Sequence, residues 1–173
     1  MRNYLLGFGI AAVLAMPLAA APARAAGEST TTECKAGEVF DSTTQKCAKK
    51  TSENEHDQLY EQGRELARAG RYGEAIVLLS SIADSGDPRV LNYLGYSHRK
   101  QGRIDVGLGY YEEALQANPD FTLAREYMGE AYLQKGDLRA ARGQLSEIEK
   151  RCGSGCEEYV ELQKRIDAYL KQG

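Results

Sequence analysis

The 173-residue chain has no tryptophan and only two histidines, four cysteines and four prolines. Two histidines leave little for a Ser–His–Asp relay or for a nitrogen-rich metal site. Four cysteines are too few for a dense disulfide framework replacing a core. Neither sign of charge dominates: 22 Lys and Arg stand against 25 Asp and Glu, a formal net charge of −3. Such a mildly acidic chain with dispersed charge lacks the basic footprint of a nucleic-acid binder. After the first 25 residues no segment is apolar enough to span a bilayer. Enzyme signatures are missing too: no His-Glu-x-x-His, no phosphate-binding glycine loop, no nucleophile elbow and no haem-attachment Cys-x-x-Cys-His. These absences favour a non-enzymatic protein without cofactor or metal. Abundance lies elsewhere, in 18 glycines and eleven tyrosines.

Residues 1–25 read as a secretory signal peptide. Arg2 supplies the charged start, Tyr4 to Met16 an uncharged apolar run, and Ala23-Arg24-Ala25 the small-x-small cleavage pattern. Pro17 interrupts the run, which barely reaches the roughly 20 residues of a spanning helix. Cleavage before Ala26 is therefore expected, with no stable membrane span afterwards. No cysteine follows closely, so a lipoprotein is not expected, and the short Ala-rich leader suggests a bacterial periplasm as destination. Roughly 150 residues then remain, enough for one core.

Cys34, Cys47, Cys152 and Cys156 form two separated pairs. Four cysteines allow three connectivities. Proximity favours Cys34–Cys47 and Cys152–Cys156, and an oxidising compartment suits both bonds. In the first pair, Glu38-Val39-Phe40 can be extended and Asp41 to Thr44 offers turn chemistry, so 34–47 reads as a bridged hairpin or knob. Polar flanks make 26–33 a flexible segment and 48–55 a linker.

The rest of the chain repeats itself. Gly70-Arg71-Tyr72, Gly102-Arg103-Ile104 and Gly136-Asp137-Leu138 recur 32 and then 34 residues apart. Seven residues before each lies Gly63, Gly95 or Gly129. After each turn come a small residue (Ala75, Gly107, Ala141), a larger apolar one (Leu79, Tyr111, Leu145) and then Ile82, Ala114 or Ile148. Each copy reads as helix–turn–helix. In the second, Leu91, Leu94, Gly95 and His98 share one helical face, as do Leu108, Tyr111, Ala114 and Leu115. The first glycine allows close approach of the second helix, and the second suits the left-handed stop of a helix. From Glu157 to Lys171 a further amphipathic helix places Tyr159, Leu162, Ile166, Tyr169 and Leu170 on one side.

This pattern resembles the tetratricopeptide repeat family. The second copy matches with Leu91, Leu94-Gly95, Tyr111, Ala114 and Pro119, departing at His98 and Gly107. The third matches with Met128-Gly129, Tyr132, Ala141 and Leu145, departing at Arg125, Ile148 and Gly153. The first is two residues short, carries Gln62-Gly63, Leu66, Ala75 and Leu79, and has Asp87 where proline is usual. The resemblance implies an all-α solenoid with repeats at 56–87, 88–121 and 122–154, and 155–173 as the capping helix that a stacked array needs.

The resemblance also implies a concave face, lined by the first helix of each repeat, that binds peptide segments without catalysis. By the family's register its places here are Tyr60, Glu61, Arg64, Arg68, Arg89, Asn92, Tyr93, Tyr96, Arg99, Leu123, Glu126, Tyr127 and Glu130. Tyrosines on an exposed face would be rigid contact area for a partner. The arginines would suit a carboxylate on it. Alternatively the rings stack on neighbouring helices and the arginines only solubilise. The carboxylate clamp of some family co-chaperones is absent, because Tyr60, Arg64, Tyr93, Leu123 and Tyr127 occupy its places. A second reading, a periplasmic redox or copper-handling protein, rests on Cys152 and Cys156. Cys152-Gly-Ser-Gly-Cys156 suits a tight bridged turn, yet a cysteine at a helix N-terminus can also be a reactive thiol.

Overall fold

A computed structural model describes residues 34–171 apart from 36–37, 42–44 and 50–51. The expected leader 1–25, the segment 26–33 and most of the hairpin turn lie outside the described residues. Strands β1 (Glu38–Asp41) and β2 (Lys46–Lys49) pair antiparallel, with Glu38 opposite Lys49 and Phe40 opposite Cys47. Asp41, expected in the turn, belongs to β1. Cys34 and Cys47 are joined with their Cα atoms 5.6 Å apart.

Seven α-helices follow: α1 (Ser52–Arg68), α2 (Tyr72–Ser80), α3 (Pro88–Lys100), α4 (Ile104–Ala117), α5 (Thr122–Gln134), α6 (Leu138–Cys152) and α7 (Glu157–Leu170). The expected 48–55 linker is largely taken up by the end of β2 and the start of α1. Glu53 and Glu55 in the first turn of α1 favour that early start, since carboxylates stabilise the positive end of a helix. Asp87 does not replace a terminal proline; it caps α3, accepting from the Arg89 amide at 2.8 Å, with Pro88 at the first helical position.

The turn glycines behave as their spacing implies. Gly70, Gly102 and Gly136 have φ of 77°, 81° and 80°. In each case the next residue's N–H reaches back over the turn: Arg71 to Leu66 O, Arg103 to His98 O and Asp137 to Tyr132 O. This is the Schellman arrangement, which satisfies carbonyls that a helix end leaves open.

Packing explains the glycines inside the first helices. A Cβ at Gly63 would meet Leu79 at 2.4 Å, and one at Gly95 would meet Tyr111 at 2.7 Å. At Gly129 the nearest side chain is Leu162 of α7, at 2.6 Å, so there the close approach is made by the cap rather than by α6. Gly107 stands where alanine is usual because α3 and α4 touch backbone to backbone. A Cβ there would lie 2.8 Å from Gly95 O and 3.2 Å from Arg99 Cβ. Helix α7 covers the last repeat with Leu162 and Ile166, packed on Ala141, Leu145 and Ile148. Leu170, expected on that apolar face, is exposed instead. Among the described residues no helix is long and apolar enough to cross a membrane.

Gly107→Ala should therefore destabilise the fold by about 2 kcal/mol or more through overpacking. Gly109→Ala, two residues along α4 in open space, should be neutral or stabilising by up to about 1 kcal/mol. Urea unfolding of the two variants checks this, and similar losses at both positions would contradict the backbone contact.

Candidate functional site

Helices α1, α3, α5 and α7 touch in succession and form one side of the stack. A chain of tyrosines runs across it. Tyr60 meets Tyr93 at 6.1 Å between ring centres, Tyr93 meets Tyr96 at 6.1 Å, and Tyr96 meets Tyr127 at 5.0 Å. The first two contacts are edge-on, the favoured geometry for aromatic quadrupoles. Tyr60 and Tyr93 are buried, while Tyr96 and Tyr127 keep part of their surface. The expected fully exposed face is thus corrected. Two of its four tyrosines are closed between helices, and burial raises the Tyr60 phenol pKa.

The arginines are not free either. Arg89 pairs with Asp57 at 2.7 Å and Asp87 at 2.6 Å, with its guanidinium 4.6 Å from the centre of the Tyr60 ring. Arg64 pairs with Glu61 at 2.8 Å and Glu65 at 3.1 Å, and exposed Arg68 lies 4.0 Å from Glu65. Arg99 is the largest departure from the sequence reading, because it is 2 % exposed. It shares its place in the repeat with Ala67 and Leu133, both buried. That signal was present in the spacing and marks a core position. Arg99 Nε donates to the Tyr111 hydroxyl at 3.2 Å, and Nη1 lies 2.8 Å from Glu130 Oε2. Its guanidinium sits 5.6 and 5.7 Å from the Tyr96 and Tyr127 ring centres. Glu130 turns its other oxygen to Arg165 Nε of α7 at 3.2 Å. One carboxylate thereby ties α3 and α7 to α5, beside an open cleft of about 470 Å3 that also takes in Lys100, Leu133 and Tyr169.

Several buried polar side chains in this region lack hydrogen-bond partners, the Ser97 hydroxyl among them. Asn92 is fully buried, and neither its Oδ1 nor its Nδ2 is hydrogen-bonded. Glu126, one repeat later at the same place, is 7 % exposed. Among the described residues no cation pairs with its carboxylate. Burial first, then Glu130, Glu158, Glu161 and Glu157 around it, push its pKa up to about 8.

His56, Ser85 and Asp87 also come together, a constellation invisible in the sequence because 29 residues separate the first two. His56 Nε2 lies 2.9 Å from Ser85 Oγ, and Nδ1 lies 3.9 Å from Asp87 Oδ2. It lacks the geometry of a nucleophilic relay. The Ser85 hydroxyl donates to Ile82 O at 2.7 Å, and the Asp87 carboxylate already caps α3 and binds the Arg89 side chain. The cluster fastens α1 to the start of α3. His98 stacks on Tyr110 at 5.3 Å, and burial depresses its pKa. At the other end Cys152 and Cys156 are joined, with Cα atoms 5.8 Å apart, and Glu158 offers a carboxylate in reach.

A sequence profile of the tetratricopeptide repeat matches residues 60–120 and 93–155. The chain belongs to the tetratricopeptide repeat family. A chloroplastic tetratricopeptide repeat protein of Arabidopsis thaliana, PYG7, is 27% identical over 97 residues, which is 53% of this chain and 32% of PYG7. The chain thus spans about a third of that relative's length. Among solved structures, the Yersinia enterocolitica type III secretion chaperone SycD, in complex with a peptide of the translocator YopD, superposes with a TM-score of 0.59. It is 22% identical, over 70% of this chain and 93% of that one. The first repeat domain of RPAP3, bound to an HSP90 peptide, gives 0.58 at 19% identity, over 67% and 93% of the two chains. These likenesses show the tetratricopeptide fold.

The Glu126 shift sets a pH dependence. Folded, the group releases its proton at about 8; unfolded, near the usual carboxylate value of about 4.3. The folded state therefore holds a proton that the unfolded state has lost, and stability falls as pH rises towards about 8, then levels. His98 acts in the opposite direction, but only below about pH 7, where its unfolded form still binds a proton. Between about pH 7 and about pH 8.5 the unfolding free energy should drop by at most ~1.4 kcal/mol per pH unit. Glu126→Gln should abolish that drop. Urea melts of both proteins at the two pH values measure it, and an unchanged slope in the variant would assign the effect elsewhere.

Proposed function

We propose that this tetratricopeptide repeat protein is a non-enzymatic scaffold or adaptor of the periplasm. It holds a segment of a partner protein along the side formed by α1, α3 and α5. The single observation that carries this reading is the half-exposed Tyr96–Tyr127 pair, ring centres 5.0 Å apart, held from behind by buried Arg99. Rings fixed in advance lose little entropy when a partner settles on them. Solved structures of similar fold include SycD in complex with a peptide of the translocator YopD and PcrH in complex with the chaperone binding region of PopD. A carboxylate on the partner gains less than the sequence suggests, because Arg64, Arg89 and Arg99 each have an acidic partner within the chain.

Export rests on the leader at residues 1–25, and bonds at Cys34–Cys47 and Cys152–Cys156 agree with an oxidising compartment. The redox or copper-handling alternative would need Cys152 and Cys156 as thiols beside Glu158. Thiol titration separates the two readings: the scaffold predicts no reactive thiol in the native protein and four after reduction and unfolding. Two titrating without reductant would favour the alternative.

The groove reading is tested by placing a photo-crosslinking benzoylphenylalanine at Tyr96 or Tyr127, with Val77 on the exposed side of α2 as control. In the native envelope, adducts to a common partner should form from the first two positions and at least fivefold less from the third. Equal yield from all three would overturn it.

A further inference from the structure

Three successive repeats put Tyr60, Asn92 and Glu126 at one equivalent place, 32 and 34 residues apart. The first of the three already receives a cation. The Arg89 guanidinium lies 4.6 Å from the Tyr60 ring centre, and Asp57 neutralises it. The other two receive nothing from the chain. Asn92 buries an amide with both polar atoms unbonded, and Glu126 buries a carboxylate in sight of four others. A buried polar group without a partner is costly, and more so when charged. Nearby cations do not relieve it, since Arg99 and Arg165 both spend their charge on Glu130. The site is short of one positive charge.

That deficit specifies an occupant. We propose that the partner segment carries a Lys or Arg whose cationic head pairs with Glu126. This rests on the groove reading above and narrows it to a basic segment. Glu157, Glu158 and Glu161 on α7 raise the local negative potential and would steer such a segment to this end of the groove.

The test is selection of a displayed library of random twelve-residue peptides on the full-length protein, on its Glu126→Gln variant and on a Glu158→Gln/Glu161→Gln variant. Far-UV circular dichroism confirms that each is folded. With the native protein, Lys and Arg should be enriched at least threefold over the input at one position of the aligned winners. With Glu126→Gln that enrichment should vanish. With the α7 variant, on a different helix, it should persist at one position but with binding weakened at least twofold at low salt. Winners without basic enrichment, enrichment of Asp or Glu, or basic enrichment that survives Glu126→Gln would overturn the proposal. The groove reading fails separately, if binding of the winners is indifferent to Tyr96→Ala and Tyr127→Ala.

Discussion

A guanidinium held inside the helical stack is the constraint around which the middle of this molecule is arranged. Arg99 stands where the neighbouring repeats have Ala67 and Leu133. It fits because Gly107 gives up its side chain, letting α4 lie against the backbone of α3 and against Arg99 Cβ. Its charge is tolerable because Tyr111, Glu130 and two tyrosine faces surround it. A buried ion pair of this kind often contributes little net stability, since desolvation offsets the attraction. Losing one partner leaves the other charged and dry, at about 3–5 kcal/mol. The pair is therefore better understood as fixing geometry than as adding stability.

That geometry reaches the partner-binding side. Glu130 is shared between Arg99 and Arg165, so the position of α5 relative to α3 and α7 is set by one carboxylate. Tyr96 and Tyr127, packed over the guanidinium, are held at a fixed spacing rather than left to rotate. The same arrangement explains the uneven electrostatics. Arg99 and Arg165 both spend their charge on Glu130, and Glu126 is left facing four like-charged carboxylates. In the first repeat the balance is reversed, with Arg89 and Arg64 both answered by local acids.

The sequence carried the architecture well because glycine is hard to replace where the backbone turns left-handed or helices nearly touch. Gly70, Gly102 and Gly136 marked the turns, and Gly63 and Gly95 marked crossings. The capping helix was legible from its apolar stripe, although Leu170 escapes the packing. The start of α1 was not, because residues 52–55 are polar and carry no apolar period; only Glu53 and Glu55 hinted at a helix N-terminus. The groove was half legible. Helical spacing tells which residues share a face, but not that Tyr60, Tyr93 and Asn92 would be closed over by neighbouring helices. For Arg99 a charged side chain outweighed the register of Ala67 and Leu133, and the register was right. The His56–Ser85–Asp87 contact joins distant segments, which periodicity cannot reveal.

Arg99 and Glu130 act as one unit across the groove. A double-mutant cycle with Arg99→Leu and Glu130→Gln, read by urea unfolding, measures this. The two losses should fail to add, with a coupling of about 1–3 kcal/mol. Losses that add to within about 0.5 kcal/mol would contradict it.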